Sequence, residues 1–210
     1  MSGTAAVTAI VLAGGRSSRF GSPKLDVEID GATLLDRAID GVAAVAGEII
    51  VAGPLVPSLG SRITPRLRII ADEQPFSGPL VALAGVLRET TTELAIVVGG
   101  DMPWLVPAVL GLMLGRLRSD TDIDAVVLET AASNSPLHQV LPLGLRVGPA
   151  RIAAGAAMAA GDRAMVRLID RLRIAKIPDL DWSILDPTGQ SVLDIDLPAD
   201  LERVRPQGIF

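Results

Sequence analysis

The chain has 210 residues, 49% of them hydrophobic, which is enough to bury the core of one medium-sized domain. Its formal net charge is −5, its pI is near 4.9, and no run of lysines or arginines forms a basic stripe, so a role in binding duplex nucleic acid is excluded. The absence of cysteine and the single histidine, His138, exclude disulfides, thiol nucleophiles and zinc sites built from several histidines.

The N-terminal apolar run carries no targeting or membrane signal. Residues 5–12 are apolar, but the run is too short to span a bilayer, no cationic region precedes it, and it ends in glycines rather than at a cleavage site. We therefore expect a cytoplasmic protein that makes no membrane contact.

The first predicted elements alternate between strands and helices. Residues 5–12 are apolar on both faces, as in a central parallel strand, and apolar residues at helical spacing predict a helix over 34–42. A second strand is predicted at 48–51, where Gly53-Pro54 closes it, and a third at 67–71. These elements complete a first βαβ unit and begin the next.

The middle of the chain continues this alternation and then becomes less regular. The regular part predicts a helix over 80–88, a strand over 94–98, a helix over 106–118 and a strand over 124–128. Residues 138–143 predict a further strand, which two helices follow at about 149–160 and 163–172.

Alternation of strand and helix over about the first 130 residues predicts an α/β fold with a doubly wound, mostly parallel sheet and right-handed crossovers. In such a fold the ligand crevice lies beyond the carboxyl ends of the strands, where the loops at 13–24, 72–79 and 99–104 are expected to meet. No internal repeat or long linker divides the chain, so we expect a single domain over residues 1–210.

The loop after the first strand has the composition of an anion-binding site. Residues 12–24 read LAGGRSSRFGSPK. Glycines let backbone N–H groups approach an anion closely, and Arg19 and Lys24 add positive charge. The loop matches neither the dinucleotide fingerprint G-x-G-x-x-G nor the P-loop pattern G-x-x-x-x-G-K-[ST]. The alternative interpretation is that Gly14 and Gly15 only turn the chain.

Three further segments contain carboxylates that are candidates for the site. Asp101 follows the fourth predicted strand in GGDMPWL, Asp72 follows the third in DEQPFSGPL, and Asp194 and Asp196 lie in VLDIDLPADL. A carboxylate at a strand end can bind Mg²⁺ that a triphosphate carries, because phosphate and water complete the metal's coordination. Each also has a structural alternative, since Asp101 and Asp196 could cap helices and Asp72 could be a turn residue.

Together these motifs resemble a known family. The loop resembles L-A-G-G-x-S-x-R-M-G-x-x-K of the nucleotidyltransferase superfamily with the glycosyltransferase-A-like fold, and it is most similar to the molybdenum cofactor guanylyltransferases. The other segments resemble the family's C-D-M-P-[FY]-L, D-x-x-x-x-x-G-P-L and closing N-[IV]-N-T-P-E-D-L. The resemblance implies a Rossmann-like three-layer sandwich, with a nucleotide-binding part over about residues 1–130 and an acceptor-binding part over about 131–210.

The chain departs from the family pattern at several positions. Phe20 replaces a methionine in the loop, and Gly100 replaces a cysteine. The closing motif has Asp194 and Asp196 in place of two asparagines and Leu197 in place of threonine. The D-I-D form is more usual among molybdenum cofactor cytidylyltransferases, so these changes bear on the choice between GTP and CTP and leave the reaction class unchanged.

The resemblance implies a nucleotide site and a metal site. The expected nucleotide-binding residues are Leu12, Ala13, Gly14, Gly15, Lys24, Asp72, Gly78 and Asp101. Lys24, Arg19 and Asp101 are the expected catalytic residues, and Asp101 and Asp196 are the expected ligands of Mg²⁺. Asp72 is expected to accept hydrogen bonds from N1–H and the N2 amino group of guanine, a donor pair that adenine and cytosine lack.

The implied reaction is Mg²⁺-dependent transfer of GMP from GTP to the molybdenum cofactor on molybdopterin, which releases pyrophosphate and forms the guanine dinucleotide cofactor. A cytidylyltransferase that uses CTP is the nearest alternative, and a non-catalytic nucleotide-binding homologue is another. No enzyme nucleophile is expected, because Ser17 and Ser18 have no base near them in the sequence. His138 is assigned no role.

Overall fold

The computed structural model describes residues 6–14, 24–54, 59, 62, 64, 66–71, 77–130, 140–196 and 200. Its strands are β1 (Val7–Leu12), β2 (Glu28–Ile29), β3 (Ala32–Thr33), β4 (Glu48–Ala52), β5 (Leu67–Ile70), β6 (Leu94–Gly99), β7 (Ala125–Leu128), β8 (Leu143–Arg146) and β9 (Ile174–Ile177). Its helices are α1 (Leu34–Ala43), α2 (Pro79–Glu89), α3 (Pro107–Ser119), α4 (Val147–Ala159), α5 (Met165–Ile169) and α6 (Asp179–Trp182). Short 3₁₀ turns cover Lys24–Asp26 and Gln190–Val192.

One sheet of seven strands has the order β5-β4-β1-β6-β8-β7-β9, and β2 pairs with β3 in a separate hairpin. Strand β1 pairs in parallel with both β4 and β6, whereas β8 runs antiparallel to β6 and β7. Leu12, the last residue of β1, pairs with Ala52 on one side and with Gly99 on the other. The carboxyl ends of the three central strands are therefore level, so the loops that follow them start at one edge of the sheet.

Helices cover both faces of the sheet, and every residue of β1 is buried. Ala9 and Val11 point into the core that includes residues of α1 and α3, and Ile10 and Leu12 into the core that includes residues of α2, α4 and α5. This arrangement confirms the predicted α/β fold, a doubly wound, mostly parallel sheet in a three-layer sandwich. No helix formed by the described residues is both long enough and apolar enough to cross a membrane.

A hairpin and a helix cap hold the chain that follows the 3₁₀ turn at Lys24. Residues 30 and 31 have φ values of 51° and 79°, the geometry of a two-residue hairpin turn that an Asp-Gly pair suits. Thr33 and Asp36 form a capping box at the start of α1. Val27 N donates to Lys24 O at 3.2 Å, so the hairpin is joined to the Lys24 turn through the backbone.

The second half of the chain differs from the prediction in several elements. The predicted strand at 138–143 is wrong in position, because residues 140–142 belong to no strand and β8 begins at Leu143; residues 138 and 139 lie outside the described residues. Pro142 has no N–H to donate to a ladder, so the strand begins after it. The helices predicted at 149–160 and 163–172 correspond to α4 and to the shorter α5, and the sequence patterns do not predict β2, β3, β9 or α6.

Candidate active site

Backbone hydrogen bonds join the loops at the carboxyl edge of the central strands. Gly100 N donates to Leu12 O at 2.9 Å, and Ala13 N donates to Ala52 O at 2.7 Å. The Ala13 amide is therefore used within the sheet. Gly14 is exposed, and a Cβ added to it would meet no atom of the described residues within 4 Å.

A tight turn at the end of β6 carries Asp101. Met102 N donates to Gly99 O, and Gly99 N donates to Met102 Sδ, each at 3.3 Å. A Cβ on Gly100 would lie 3.3 Å from Leu12 O, which is closer than most side chains allow. The glycine pair thus lets the turn pack against β1, and it leaves the Asp101 carboxylate partly exposed at the crevice edge.

Lys24 lies between two aspartates from distant parts of the chain. Its Nζ donates to Asp101 Oδ2 at 2.9 Å and to Asp196 Oδ1 at 2.8 Å. The side chain of Lys24 is 13% exposed, against 30% for Asp101 and 59% for Asp196. Burial alone would lower the pKa of Lys24, but the hydrogen bonds and negative charges of Asp196 and Asp101 outweigh it and raise the pKa above its ordinary value of 10.5. The ammonium therefore keeps its charge at neutral pH.

The closing segment, residues 192–196 of the closing motif, contacts the Asp101 turn through its backbone. Ile195 is fully buried and donates its N–H to Asp101 O at 3.0 Å. This bond holds the neighbouring Asp196 next to Lys24. On the other side of Ile195, partial burial and the negative charges of Asp196 and Asp101 raise the pKa of Asp194. The segment thus adds two carboxylates to the surroundings of one ammonium.

A second glycine turn lies at the start of α2. Gly78 has a φ of +108°, and an added Cβ would lie 2.8 Å from Arg163 O, so both the backbone conformation and the space require glycine. Leu80 N also donates to Arg163 O at 3.3 Å. The turn after α4 therefore packs against the start of α2, near the carboxyl edge of the sheet. This contact of Arg163 was not predicted, because its backbone carbonyl makes it and no side-chain pattern in the sequence marks it.

The structure brings some of the predicted site residues together and leaves others undescribed. Lys24, Asp101 and Asp196 are in direct contact, and Leu12, Ala13, Gly14 and Gly78 lie at the carboxyl edge of the strands. Gly15, Arg19, Asp72 and His138 lie outside the described residues.

Two carboxylates of this site converge on one positive centre, Lys24 Nζ, which lies 2.9 Å from Asp101 and 2.8 Å from Asp196. Mg²⁺ bound to a triphosphate needs only one or two carboxylates, because phosphate and water complete its coordination. Within the described ranges, no three or more His, Cys, Asp or Glu side chains are grouped so as to hold a metal. Two carboxylates at one point are the number that a metal carried by a triphosphate would take from the protein.

The sequence is similar to proteins of one family. Residues 9–176 match the family model of the MobA-like NTP transferase domain. The "Probable molybdenum cofactor guanylyltransferase" of Chloroflexus aggregans is 30% identical over 209 residues, which are 95% of this chain and 93% of the relative. The "Molybdenum cofactor guanylyltransferase" of Desulfosudis oleivorans is 30% identical over 202 residues and covers 94% of each chain.

Solved structures share the fold. Molybdopterin-guanine dinucleotide biosynthesis protein A from Archaeoglobus fulgidus superposes with a TM-score of 0.74 at 22% identity, over 93% of this chain and 95% of the other. The 2-C-methyl-D-erythritol 4-phosphate cytidylyltransferase from Thermus thermophilus has a TM-score of 0.65 at 16% identity, over 92% and 95%. The family match, which spans most of the chain, confirms the resemblance stated above. The chain belongs to the MobA-like NTP transferase family.

Proposed function

We propose that this protein transfers GMP from GTP to the molybdenum cofactor on molybdopterin, releases pyrophosphate and forms the guanine dinucleotide cofactor. Relatives that are 30% identical over most of the chain are named as guanylyltransferases for this cofactor. The observation that carries the proposal is the Lys24 ammonium between Asp101 and Asp196, at the edge of the sheet where α/β folds bind ligands.

Lys24 supplies positive charge for the phosphates in this proposal. The protein has a net charge of −5, so a triphosphate must be attracted by charges placed at the site itself. The raised pKa of Lys24 keeps the ammonium charged. The Lys24 side chain is also largely buried, so it needs to move little when a nucleotide binds. Charge held in place in this way stabilises the charge that develops on the transferring phosphoryl group. Arg19 is proposed to assist on the basis of the loop motif alone.

Asp101 and Asp196 are the residues that would hold Mg²⁺. When bound, the ion would supply positive charge that offsets the negative charge of the reacting phosphates. The chain itself holds the two carboxylates close to each other. The hydrogen bond from Ile195 N to Asp101 O at 3.0 Å contributes to this, and it joins backbone atoms only.

The chain positions the reactants and forms no covalent intermediate in this proposal. An oxygen of the acceptor's terminal phosphate bonds to the α-phosphorus of GTP while the bond from that phosphorus to the bridging β-phosphate oxygen breaks, and pyrophosphate leaves. Positioning and charge account for most of the catalysis of such transfers. Asp72, which follows β5 in the sequence, is proposed to bind the Watson–Crick edge of guanine.

A cytidylyltransferase for the same cofactor is the second candidate, and the closing motif favours it. Asp194 and Asp196 stand where the guanylyltransferase pattern has neutral asparagines, and burial together with the negative charges of Asp196 and Asp101 raises the pKa of Asp194. The two candidates share the transfer chemistry and differ only in the base.

The test is a panel of the four nucleoside triphosphates with Mg²⁺ and molybdopterin carrying molybdenum, in which pyrophosphate release and the dinucleotide product are measured. Product formed with GTP supports the proposal, and product formed only with CTP supports the second candidate. A nucleotide that raises the melting temperature by binding the native state, without pyrophosphate release under any condition, would overturn both. Lys24→Ala is the inactive control.

A further inference from the structure

Two buried polar side chains, Asp186 and Ser191, lie outside the proposed catalytic set. They are 2% and 0% exposed, and they belong to the loop that leads from α6 to the closing segment. Burying a carboxylate costs free energy unless hydrogen bonds compensate for the lost water. The partners of Asp186 therefore indicate what this loop is built to hold.

The hydrogen-bond donors around Asp186 come from its own loop. Ser191 N donates to Asp186 Oδ2 at 2.6 Å, and Thr188 Oγ1 donates to Oδ1 at 3.1 Å. Gln190 N and the Ser191 hydroxyl add further hydrogen bonds. Burial alone would raise the pKa of Asp186, but these hydrogen bonds outweigh it and lower the pKa. The charged carboxylate thus closes residues 186–191 into a compact loop.

Ser191 joins this loop to the chain that follows Asp101. Its Oγ accepts a hydrogen bond from Val106 N at 3.0 Å, and its hydroxyl donates to Asp186. Four residues later, Ile195 N donates to Asp101 O at 3.0 Å. The stretch 191–195 is therefore bound to the stretch 101–106 at both of its ends. Asp196, the residue that contacts Lys24, follows directly.

The other end of the loop is held to the sheet. Trp182 is buried, and its Nε1 donates to Glu129 O at 2.8 Å, next to the end of β7. Asp186 N donates to Trp182 O at 3.2 Å. The loop thus runs between two fixed points, so a change at its centre is expected to alter where the closing segment lies.

We propose that Asp186 and Ser191 are positioning residues, which set the place of Asp196 beside Asp101 by holding residues 191–195 against residues 101–106. The effect on metal binding rests on the proposed function, whereas the effect on the closing segment does not. The competing explanation is that the two side chains contribute only to the general stability of the fold.

The first test measures the closing segment directly and needs no ligand. Ser191→Ala removes the hydroxyl that links Val106 to Asp186. We expect amide hydrogen exchange at Ile195, measured by NMR, to become about 10-fold faster, because one buried hydrogen-bonded link is lost locally. The amide of Ile96, in the central strand β6, reports on opening of the whole sheet. Unchanged exchange at Ile195, or equal acceleration at both amides, overturns the proposal.

The second test measures metal affinity in the presence of GTP, with Mn²⁺ as the spectroscopic probe in electron paramagnetic resonance. We expect Ser191→Ala to weaken Mn²⁺ binding about 10-fold, as is common when a residue that orients a metal ligand is removed. Thr90→Ala is the matched control, because Thr90 is 1% exposed and its hydroxyl donates to Val86 O at 2.9 Å at the far end of α2. It is expected to lower stability without changing Mn²⁺ affinity.

The outcomes separate this inference from the proposed function. If the wild type binds Mn²⁺ with GTP and Ser191→Ala binds it equally well, the positioning role is wrong and the proposed function stands. If the wild type binds no Mn²⁺ with GTP, the proposed metal site is wrong, and exchange at Ile195 alone decides the positioning role. Should Ser191→Ala fold poorly, Asp186→Asn keeps an acceptor for the Ser191 amide and serves as the milder variant in both measurements.

Discussion

Two charge clusters in this protein have the same composition, one cation between two aspartates, and differ in their surroundings. The crevice cluster consists of Lys24, Asp101 and Asp196, and the helix cluster consists of Arg62, Asp36 and Asp40. In the crevice cluster, Lys24 lies 77 and 172 positions from its partners in the sequence. In the helix cluster, both aspartates lie one turn apart on α1.

The helix cluster follows from local geometry. Residues four apart on a helix lie on one face, so one arginine can reach both carboxylates. Asp36 is also part of the capping box, in which Asp36 N donates to Thr33 Oγ1 at 3.0 Å and Thr33 N donates to Asp36 Oδ2 at 3.4 Å. The crevice cluster forms only when three remote segments meet at the carboxyl edge of the sheet. Position in the fold, rather than composition, therefore distinguishes a candidate site from a helix-stabilising group.

The largest difference between the clusters is expected in turnover. Lys24→Ala should lower pyrophosphate release by about 100- to 1,000-fold, because it removes a charge preorganised for the phosphates. Circular dichroism should show an unchanged fold. Arg62→Ala removes the matching cation of the helix cluster and should keep activity near the wild-type level. Equal losses in the two variants, or full activity in Lys24→Ala, would contradict the assignment of the crevice cluster.

Within the crevice cluster, the two aspartates should contribute unequally to Mg²⁺-dependent activity. Asp101 is 30% exposed and Asp196 is 59% exposed, so Asp101 acts in a less screened environment. Asp101→Asn should reduce Mg²⁺-dependent activity about 100-fold, and Asp196→Asn should reduce it less. Mg²⁺ titrations of both variants and of Asp40→Asn, the control from the helix cluster, measure this. A titration of Asp101→Asn that matches the wild type shows that the carboxylate binds no metal.

The sequence predicts the convergence of Lys24 and Asp101, because both follow parallel strands whose carboxyl ends share an edge. The sequence places Asp196 near these two residues only through the closing motif. Asp196 follows α6 in an irregular segment, whose position is not determined by pairing between strands. The positions of Asp186 and Ser191 could not be predicted. Isolated polar residues have no periodicity, and their burial depends on tertiary packing.

The fold is predicted well where the pattern is repetitive and poorly where pairing is decided at long range. Strands β1, β4 and β6 are apolar runs of the kind that parallel sheets bury, and they are confirmed within a residue or two. Strand β8 runs antiparallel between β6 and β7, a choice that the local sequence does not specify. The hairpin of β2 and β3 carried a usable signal, because Asp30-Gly31 is a favoured pair for a two-residue turn.

The two clusters should also respond to pH in opposite directions. Burial alone would raise the pKa of Asp36, but hydrogen bonds from Thr33 and Arg62 outweigh it and lower the pKa below its ordinary 3.8. Its contribution to stability is therefore present above pH 3.8 and is lost as the pH falls through the lowered pKa. Urea unfolding should show Arg62→Ala about 1 kcal/mol less stable than the wild type at neutral pH, and the difference should shrink in acid.

The crevice cluster should lose its stabilisation at alkaline pH instead. The pKa of Lys24 is raised above 10.5, so its contribution is fully present below pH 10.5 and is lost as the pH rises through the raised pKa. The stability difference between the wild type and Lys24→Ala, measured by urea unfolding, should persist in mild acid and shrink in strong alkali. A Lys24→Ala difference that already shrinks between neutral pH and pH 10.5 contradicts the raised pKa of Lys24, and an Arg62→Ala difference that shrinks over that range contradicts the assignment of the helix cluster.

The smallest expected effect tests whether α1 takes part in the site. Thr33→Ala removes the hydroxyl that accepts a hydrogen bond from Asp36 N at 3.0 Å, and it should lower stability by about 1 kcal/mol, as the loss of an N-cap usually does. The KM for GTP should not change, because Thr33 and Asp36 hydrogen-bond to each other and to Arg62. A raised KM would instead show that loss of the cap displaces the Lys24 turn through the hairpin of β2 and β3. The two are connected, because Val27 N donates to Lys24 O at 3.2 Å.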